Sequence, residues 1–349
     1  MRTRSVRILI GVLATLAVLL AACAPAAAPP PPKAAEPKPA EPKAVAQPTT
    51  LKFALAYPSA NSLPIYAAMD KGFLKQENID LDVMFISTGD KMFAALIGGS
   101  LEVAMYTPDT AMRAIESGEK LTIFLGGVNI PLYSLVTPKT VKTYNDLKGK
   151  LIAVSTVSSG DAFFTRKMMG ANGLTDGKDY DLVQVGGTPE RSAALKSGSV
   201  AAALLGPPQD QQIIDEGYNR LDTTTNTIKA YAWDTPVVRK DWAEKNESVL
   251  VALTRGFIKG FRWVYDPKNA GDAISIVQQR LKLEEKYAKQ VYEAFVNAAV
   301  WDKDAAINVK GLQANIDAMA ERGELKAPLP KVEKYINSTY WEKAIKTLQ

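Results

Sequence analysis

From Leu51 onward, short apolar runs alternate with amphipathic stretches of helical length, and this alternation restricts the fold more than any other property of the chain. Leu51–Ala56, Leu81–Ile86, Glu102–Met105, Leu121–Gly127 and Leu132–Val136 have the length and apolar content of buried strands. Between them, Pro64–Lys75, Asp90–Ile97 and Pro108–Ser117 carry helical patterning. A second series follows, with strands at Leu151–Ser155, Asp181–Val185 and Ala201–Leu205 and helices at Gly160–Ala171, Pro189–Lys196 and Gln209–Asp215. Strands separated by helices of this length imply βαβ units, and two series imply two α/β lobes. From about Pro236 the pattern is almost wholly helical, over Glu247–Tyr265, Ala270–Leu281, Glu284–Trp301 and Lys310–Arg322.

Composition narrows the function. The 349 residues include no His and one Cys. That excludes Ser-His-Asp and Cys-His nucleophile systems, His-ligated zinc or haem, and an internal disulfide. Neither GxxxxGK[ST] nor GxGxxG occurs, so neither standard nucleotide loop is present and no cofactor is implied. The formal charge of +5 belongs partly to the N-terminus: without Arg2, Arg4 and Arg7, 39 basic residues face 37 acidic ones. No basic cluster is interleaved with aromatics, so nucleic-acid binding has no support.

Those three arginines precede the apolar run Ile8–Ala22, which ends in Leu20-Ala21-Ala22-Cys23. A basic segment, a short apolar segment and small residues describe an export signal over residues 1–22. The run is fifteen residues, against the ~20 a membrane-spanning helix needs, so a short anchor helix is the weaker alternative. Leu-Ala-Ala-Cys resembles the lipobox of bacterial lipoproteins, which implies acylation of Cys23 and cleavage just before it. Residues 24–48 comprise nine Pro and nine Ala with scattered Lys and Glu. This composition cannot form a core and favours extended polyproline II, so residues 23–50 are expected to be a stalk tethering a soluble domain to lipid. A disordered recognition tail is the rival reading.

In open α/β sheets, ligands sit outside the carboxyl ends of the strands. In the first lobe that rule selects Tyr57, Ser59 and Asn61, then Gly89 and Asp90, then Thr107 and Asp109. In the second it selects Ser155, Ser158, Ser159 and Asp161, then Thr188, then Pro207. Trp233 joins the set as an aromatic able to stack on a planar ligand, as do Tyr57, Tyr66, Tyr106 and Phe163. Each residue also has a plainer explanation: Ser and Asp before or at the start of a helix cap it, and aromatics pack cores. Helix N-termini with serines suit an anion. Asp90, Asp109 and Asp161 at three of those termini suit an amine or a polar heterocycle instead, unless they cap and point away.

Several ordered segments resemble the nitrate/sulfonate/taurine-type solute-binding proteins of ABC importers. They are Leu63-Pro64-Ile65-Tyr66-Ala67-Ala68, Lys71-Gly72-Phe73-Leu74, Leu81-Asp82-Val83, the stretch from Ala95 to Ala104, Asp146-Leu147-Lys148-Gly149-Lys150 running into Leu151-Ile152-Ala153-Val154, and the stretch from Ala193 to Ala203. The resemblance implies a two-lobed, type II periplasmic-binding fold in which each lobe is a mostly parallel sheet flanked by helices. Two crossovers are expected near Thr137-Pro138 and Ala230–Pro236. Lobe 1 would then take residues 51–137 and 231–349, and lobe 2 residues 138–230. It further implies a monomeric, non-enzymatic receptor outside the cytoplasm, which captures a sulfonate- or nitrate-like anion or a planar heterocycle by hinge closure and docks on an ABC permease. The alternatives are a secreted lyase or dehydratase working without histidine on the same fold, and a ligand sensor for a membrane kinase.

Overall fold

The computed structural model describes residues 47–348, so the export signal, Cys23 and nearly all of the Pro/Ala-rich stalk lie outside the described residues. Ten strands form two five-stranded sheets: β1 (Thr49–Leu55), β2 (Ile79–Phe85), β3 (Val103–Tyr106), β4 (Leu121–Ile123), β5 (Ser134–Thr137), β6 (Leu151–Val154), β7 (Asp181–Gln184), β8 (Ala202–Leu205), β9 (Asn219–Thr223) and β10 (Thr235–Arg239). The first sheet has the order β2-β1-β3-β10-β4 and the second β7-β6-β8-β5-β9. The two sheets follow one plan. In each, a parallel trio is built by helical crossovers, and the strand that arrives from the other lobe inserts antiparallel between the third strand and the edge. Each sheet is thus mostly parallel, as expected, with one inserted antiparallel strand that gives it two parallel and two antiparallel pairings.

Two placements differ from the sequence reading. Strand β5, grouped there with the first series, pairs with β8 and β9 in the second sheet. Strand β10 lies where a crossover ending at Pro236 and helices beyond it are expected, and Pro236 itself has no N–H to donate to a ladder. It nonetheless lies between β3 and β4, with Pro236 opposite Met105. The expected Pro64–Lys75 helix breaks at Gly72, whose φ of 73° only glycine adopts without penalty, leaving helices Leu63–Asp70 and Phe73–Gln76.

The strands nearest the centre, β3, β5 and β8, are buried along nearly their whole length, as strands covered on both faces must be. The C-terminal helices cover the first sheet. The 18-residue helix Glu247–Val264 packs against Leu63–Asp70 and sets Phe257 edge-on to Phe53 at 5.7 Å between ring centroids. Residues 335–337 return to the edge strand β4, where the Ile123 amide donates to the Tyr335 carbonyl (2.9 Å) and the Asn337 amide donates to the Ile123 carbonyl (2.9 Å). That closes an edge otherwise open to pairing.

The chain passes between the sheets twice, through residues 124–133 and 224–234. These segments are hydrogen-bonded to each other: the Val128 amide donates to the Asp234 carbonyl and the Trp233 amide to the Val128 carbonyl, both at 2.8 Å. Nearer the second sheet, the Thr224 amide donates to the Tyr133 carbonyl (2.9 Å) and the Tyr133 amide to Thr224 Oγ1 (3.0 Å). The close approach depends on Gly127, since a Cβ there would lie 1.8 Å from the Asp234 carbonyl oxygen.

Candidate functional site

The carboxyl ends of both sheets and the second crossing segment converge on one cluster of aromatic and polar side chains. From the first lobe come Tyr57, after β1, and Tyr106, the last residue of β3. Tyr133, Trp233 and Asp234 come from the crossings, and Arg191 and Asp161 from the second lobe. The charges are close enough to act across the gap. Desolvation and the nearby Asp234 carboxylate push the Tyr57 hydroxyl up to about 12, against the opposing pull of Arg191 and Tyr133. Desolvation, Asp234, Asp90 and Asp161 also raise Tyr106, outweighing a hydrogen bond with the Gly89 backbone, and desolvation raises Tyr133 strongly. All three tyrosines are thus fixed as neutral hydroxyls. Tyr57 is still 46 % exposed and so open to water, whereas Tyr133 and Trp233 are each 8 % exposed. Tyr133 meets Trp233 edge-on at 5.5 Å.

Asp234 is a strongly perturbed carboxyl. Desolvation raises its carboxyl from 3.8 to about 7, and Asn61 Nδ2, donating at 2.8 Å, opposes the shift only in part. Asn61 is held in turn, because Trp301 Nε1 donates to its carbonyl (2.9 Å). Sequence reasoning selected Asn61 and Trp233 but missed Asp234. Its position one residue after Trp233, in the segment expected to cross between lobes, was the available signal.

In the second lobe the structure uses the expected polar residues internally. Arg191 is 3 % exposed and ties the strand ends together. It donates to the carbonyls of Leu204 (2.9 Å) and Gly186 (2.7 Å) and to Thr188 Oγ1 (3.1 Å), and it pairs with Asp161 at 3.0 Å. Asp161 also accepts from the Ser155 amide (2.8 Å), from Ser155 Oγ (2.6 Å) and from Ser159 Oγ. Ser155, Ser159, Asp161 and Thr188 therefore belong to one network centred on a buried arginine that sequence patterning does not mark. Ser159 is the N-cap of the helix Gly160–Ala171 as well. Ser158 is exposed, and its hydroxyl lies within hydrogen-bond reach of Thr156 Oγ1, at 3.5 Å. Pro207 begins a Pro-Pro turn leading into the Gln209–Asp215 helix.

In the first lobe, Gly89 and Asp90 open the helix Gly89–Ile97, and the Tyr106 ring packs on Gly89, where a Cβ would come within 2.7 Å of it. Trp233 packs in the same way on Gly160, with the corresponding approach at 2.6 Å. Thr107 pairs with Thr110 at 3.3 Å, and Ser59 accepts the Ser62 amide through its carbonyl (3.2 Å). Asp109 is engaged elsewhere: Tyr231 Oη (2.9 Å), Asn315 Nδ2 (2.6 Å) and Arg322 (2.7 Å) all donate to it. It anchors the helix Pro108–Glu116 to the helix Val309–Glu321 and to the second crossing.

Two ion pairs bridge the lobes away from this cluster: Lys167 with Glu321 at 2.7 Å, and Lys286 with Asp215. Surface hollows of about 350 Å³ beside Tyr144 and about 490 Å³ between Ile130 and Val309 are lined by other residues. Among the described residues no group of three His, Cys, Asp or Glu side chains is placed to hold a metal ion.

Comparison with known proteins agrees with this architecture. The periplasmic nitrate-binding protein NrtA of Synechocystis PCC 6803 superposes with a TM-score of 0.72 over 86 % of this chain and 89 % of its own, at 17 % identity. The periplasmic aliphatic sulphonate binding protein SsuA of Escherichia coli superposes at 0.63 over 84 % and 93 %, at 16 % identity. At such identities the likeness establishes the periplasmic-binding-protein fold. In sequence, YtlA of Bacillus subtilis (strain 168) is 22 % identical over 289 residues, 81 % of this chain and 86 % of that protein. The sequence model described as NMT1/THI5 like matches residues 59–270, more than half of the chain. The chain belongs to the NMT1/THI5-like family.

Proposed function

We propose that this chain is the solute receptor of an ABC importer, tethered outside the cytoplasm through acylated Cys23 and the stalk of residues 23–50. The observation that carries the reading is the convergence of side chains from both lobes and both crossings on one cleft. Tyr57 and Tyr106 come from the first lobe, the Arg191–Asp161 pair from the second, and Tyr133, Trp233 and Asp234 from the crossings that join them, and their charges act on one another. Lobe 1 is built on the first sheet and the C-terminal helices, lobe 2 on the second sheet, and the paired crossings are the hinge. A solute entering the cleft draws the lobes together, and the closed form docks on the permease. The protein acts as a monomer, binds without turnover and needs no cofactor. Relatives of the same fold named for nitrate and sulphonate binding support the receptor class.

Titrating the purified chain with small solutes while recording X-ray scattering tests this reading. Saturable binding accompanied by a fall in radius of gyration is the expected result; saturable turnover of a bound solute overturns it. Radiolabelled palmitate incorporated by the parent but not by the Cys23→Ala variant is expected for the anchor.

A further inference from the structure

Resting on the receptor reading above, we propose that the solute is a small organic cation, an amine or amidine, whose N–H groups bond to Asp234 beside the exposed ring of Tyr57. The charges of the cleft carry the argument. Asp161, Asp234 and Asp90 bring three carboxyl groups to the surroundings of the tyrosines, and Arg191 brings one guanidinium. That guanidinium is already committed to Asp161, two carbonyls and Thr188, so it offers an incoming anion little.

Asp234 is in the opposite position. Among the described residues only Asn61 donates to it, and no Lys or Arg pairs with it. A carboxyl withdrawn from water beside neutral hydroxyls is short of a cationic partner. A ligand ammonium or amidinium supplies the charge and the N–H donors, and aromatic rings add attraction for the cation.

The equipment that would hold an anion is used within the protein. Ser155 and Ser159 donate their hydroxyls to Asp161, and the aromatic rings of Tyr106 and Trp233 pack on Gly89 and Gly160, the first residues of two cleft helices. An anion placed here meets carboxylates on both sides of the gap.

Calorimetric titration of the purified chain with four ligands of one shape separates the possibilities: benzylammonium, benzamidinium, benzyl alcohol and benzoate, with benzenesulfonate and nitrate as further anions. The expected result is that the two cations bind at least tenfold tighter than benzyl alcohol and benzoate. In Asp234→Asn, which keeps an acceptor for Asn61, this preference is expected to fall at least tenfold while the melting temperature stays within a few degrees of the parent. Tighter binding of benzoate, benzenesulfonate or nitrate than of either cation overturns the charge assignment and leaves the receptor reading standing. Binding of no ligand of any charge overturns both. The ligand series on the parent chain decides the matter even where the variant fails to fold.

Discussion

Replacing Asp234 by Asn removes a single ionisation from the hinge side of the cleft, and its effect on stability is expected to depend on pH. In the folded protein, desolvation holds this carboxyl at about 7, while in the unfolded chain it returns to its ordinary value of about 3.9. Between those values the folded state binds more protons, so the contribution of Asp234 is full at acid pH and is lost as pH rises through 7. At 1.36 kcal/mol per pH unit of separation, the loss between pH 5 and pH 8 is about 2.5 kcal/mol. The Asp234→Asn side chain retains an acceptor for Asn61 and has no charge to desolvate, so the variant lacks this slope. Urea unfolding of parent and variant at pH 5, 6, 7 and 8 measures the difference. The parent is expected to lose ground to the variant up to about pH 7 and to level off beyond it. An unchanged stability difference at pH 5 and pH 8 would refute the burial argument, because a carboxyl titrating normally is almost wholly ionised in both states throughout.

Three further outcomes follow from the packing. Gly127→Ala drives a Cβ into the Asp234 carbonyl oxygen, 1.8 Å away, and parts the crossings. A loss of about 3 kcal/mol or more in urea unfolding is expected, from two broken backbone hydrogen bonds and the strain of separation. Arg191→Met leaves Asp161 buried without its counter-charge and should cost about 3–5 kcal/mol by the same assay, with the strand-end loops of the second lobe losing hydrogen-exchange protection. Glu77 shows the opposite pH dependence to Asp234. Burial pushes its carboxyl up, but the hydrogen bonds from Arg255 and Lys259 outweigh burial and leave it lowered. Its contribution is present above the ordinary carboxylate range and lost as pH falls, so Glu77→Gln should be less stable than the parent at pH 7, with the gap narrowing as pH falls below that range.

The alternation of strand and helix was legible because period and length act locally. Helices Gly160–Ala171, Gln209–Asp215 and Ala270–Leu281 have the bounds the pattern predicts, and most strands agree within two residues. Sheet membership was not legible at β5. Ser134–Thr137 follows directly on the first series in sequence, and only the register with Leu205 and Thr223 assigns it to the second. Strand β10 was hidden by Pro236, whose turn signal is local while its pairing with β3 is tertiary. The rule that ligands meet strand ends selected Tyr57, Asn61 and Gly89, which the structure sets against Asp234 and Tyr106. It could not tell a polar side chain facing water from one spent on a buried arginine. Arg191 looks in sequence like any cation in the first turns of a helix, and its position decides what Ser155, Ser159, Asp161 and Thr188 do. Asp109 was misleading for a similar reason, because its three partners lie more than a hundred residues away.

Because the two crossings are zipped together, the hinge closure proposed above would turn on a double-stranded ribbon rather than on two independent joints. A ribbon bends across its face far more easily than it shears along its length, so opening follows one arc. Asp234 sits in that ribbon: its carbonyl accepts the Val128 amide and its carboxyl lies in the cleft. Under the receptor reading proposed above, gaining or losing charge at that carboxyl would act at the fulcrum itself, with no relay of intermediate residues between occupancy and motion.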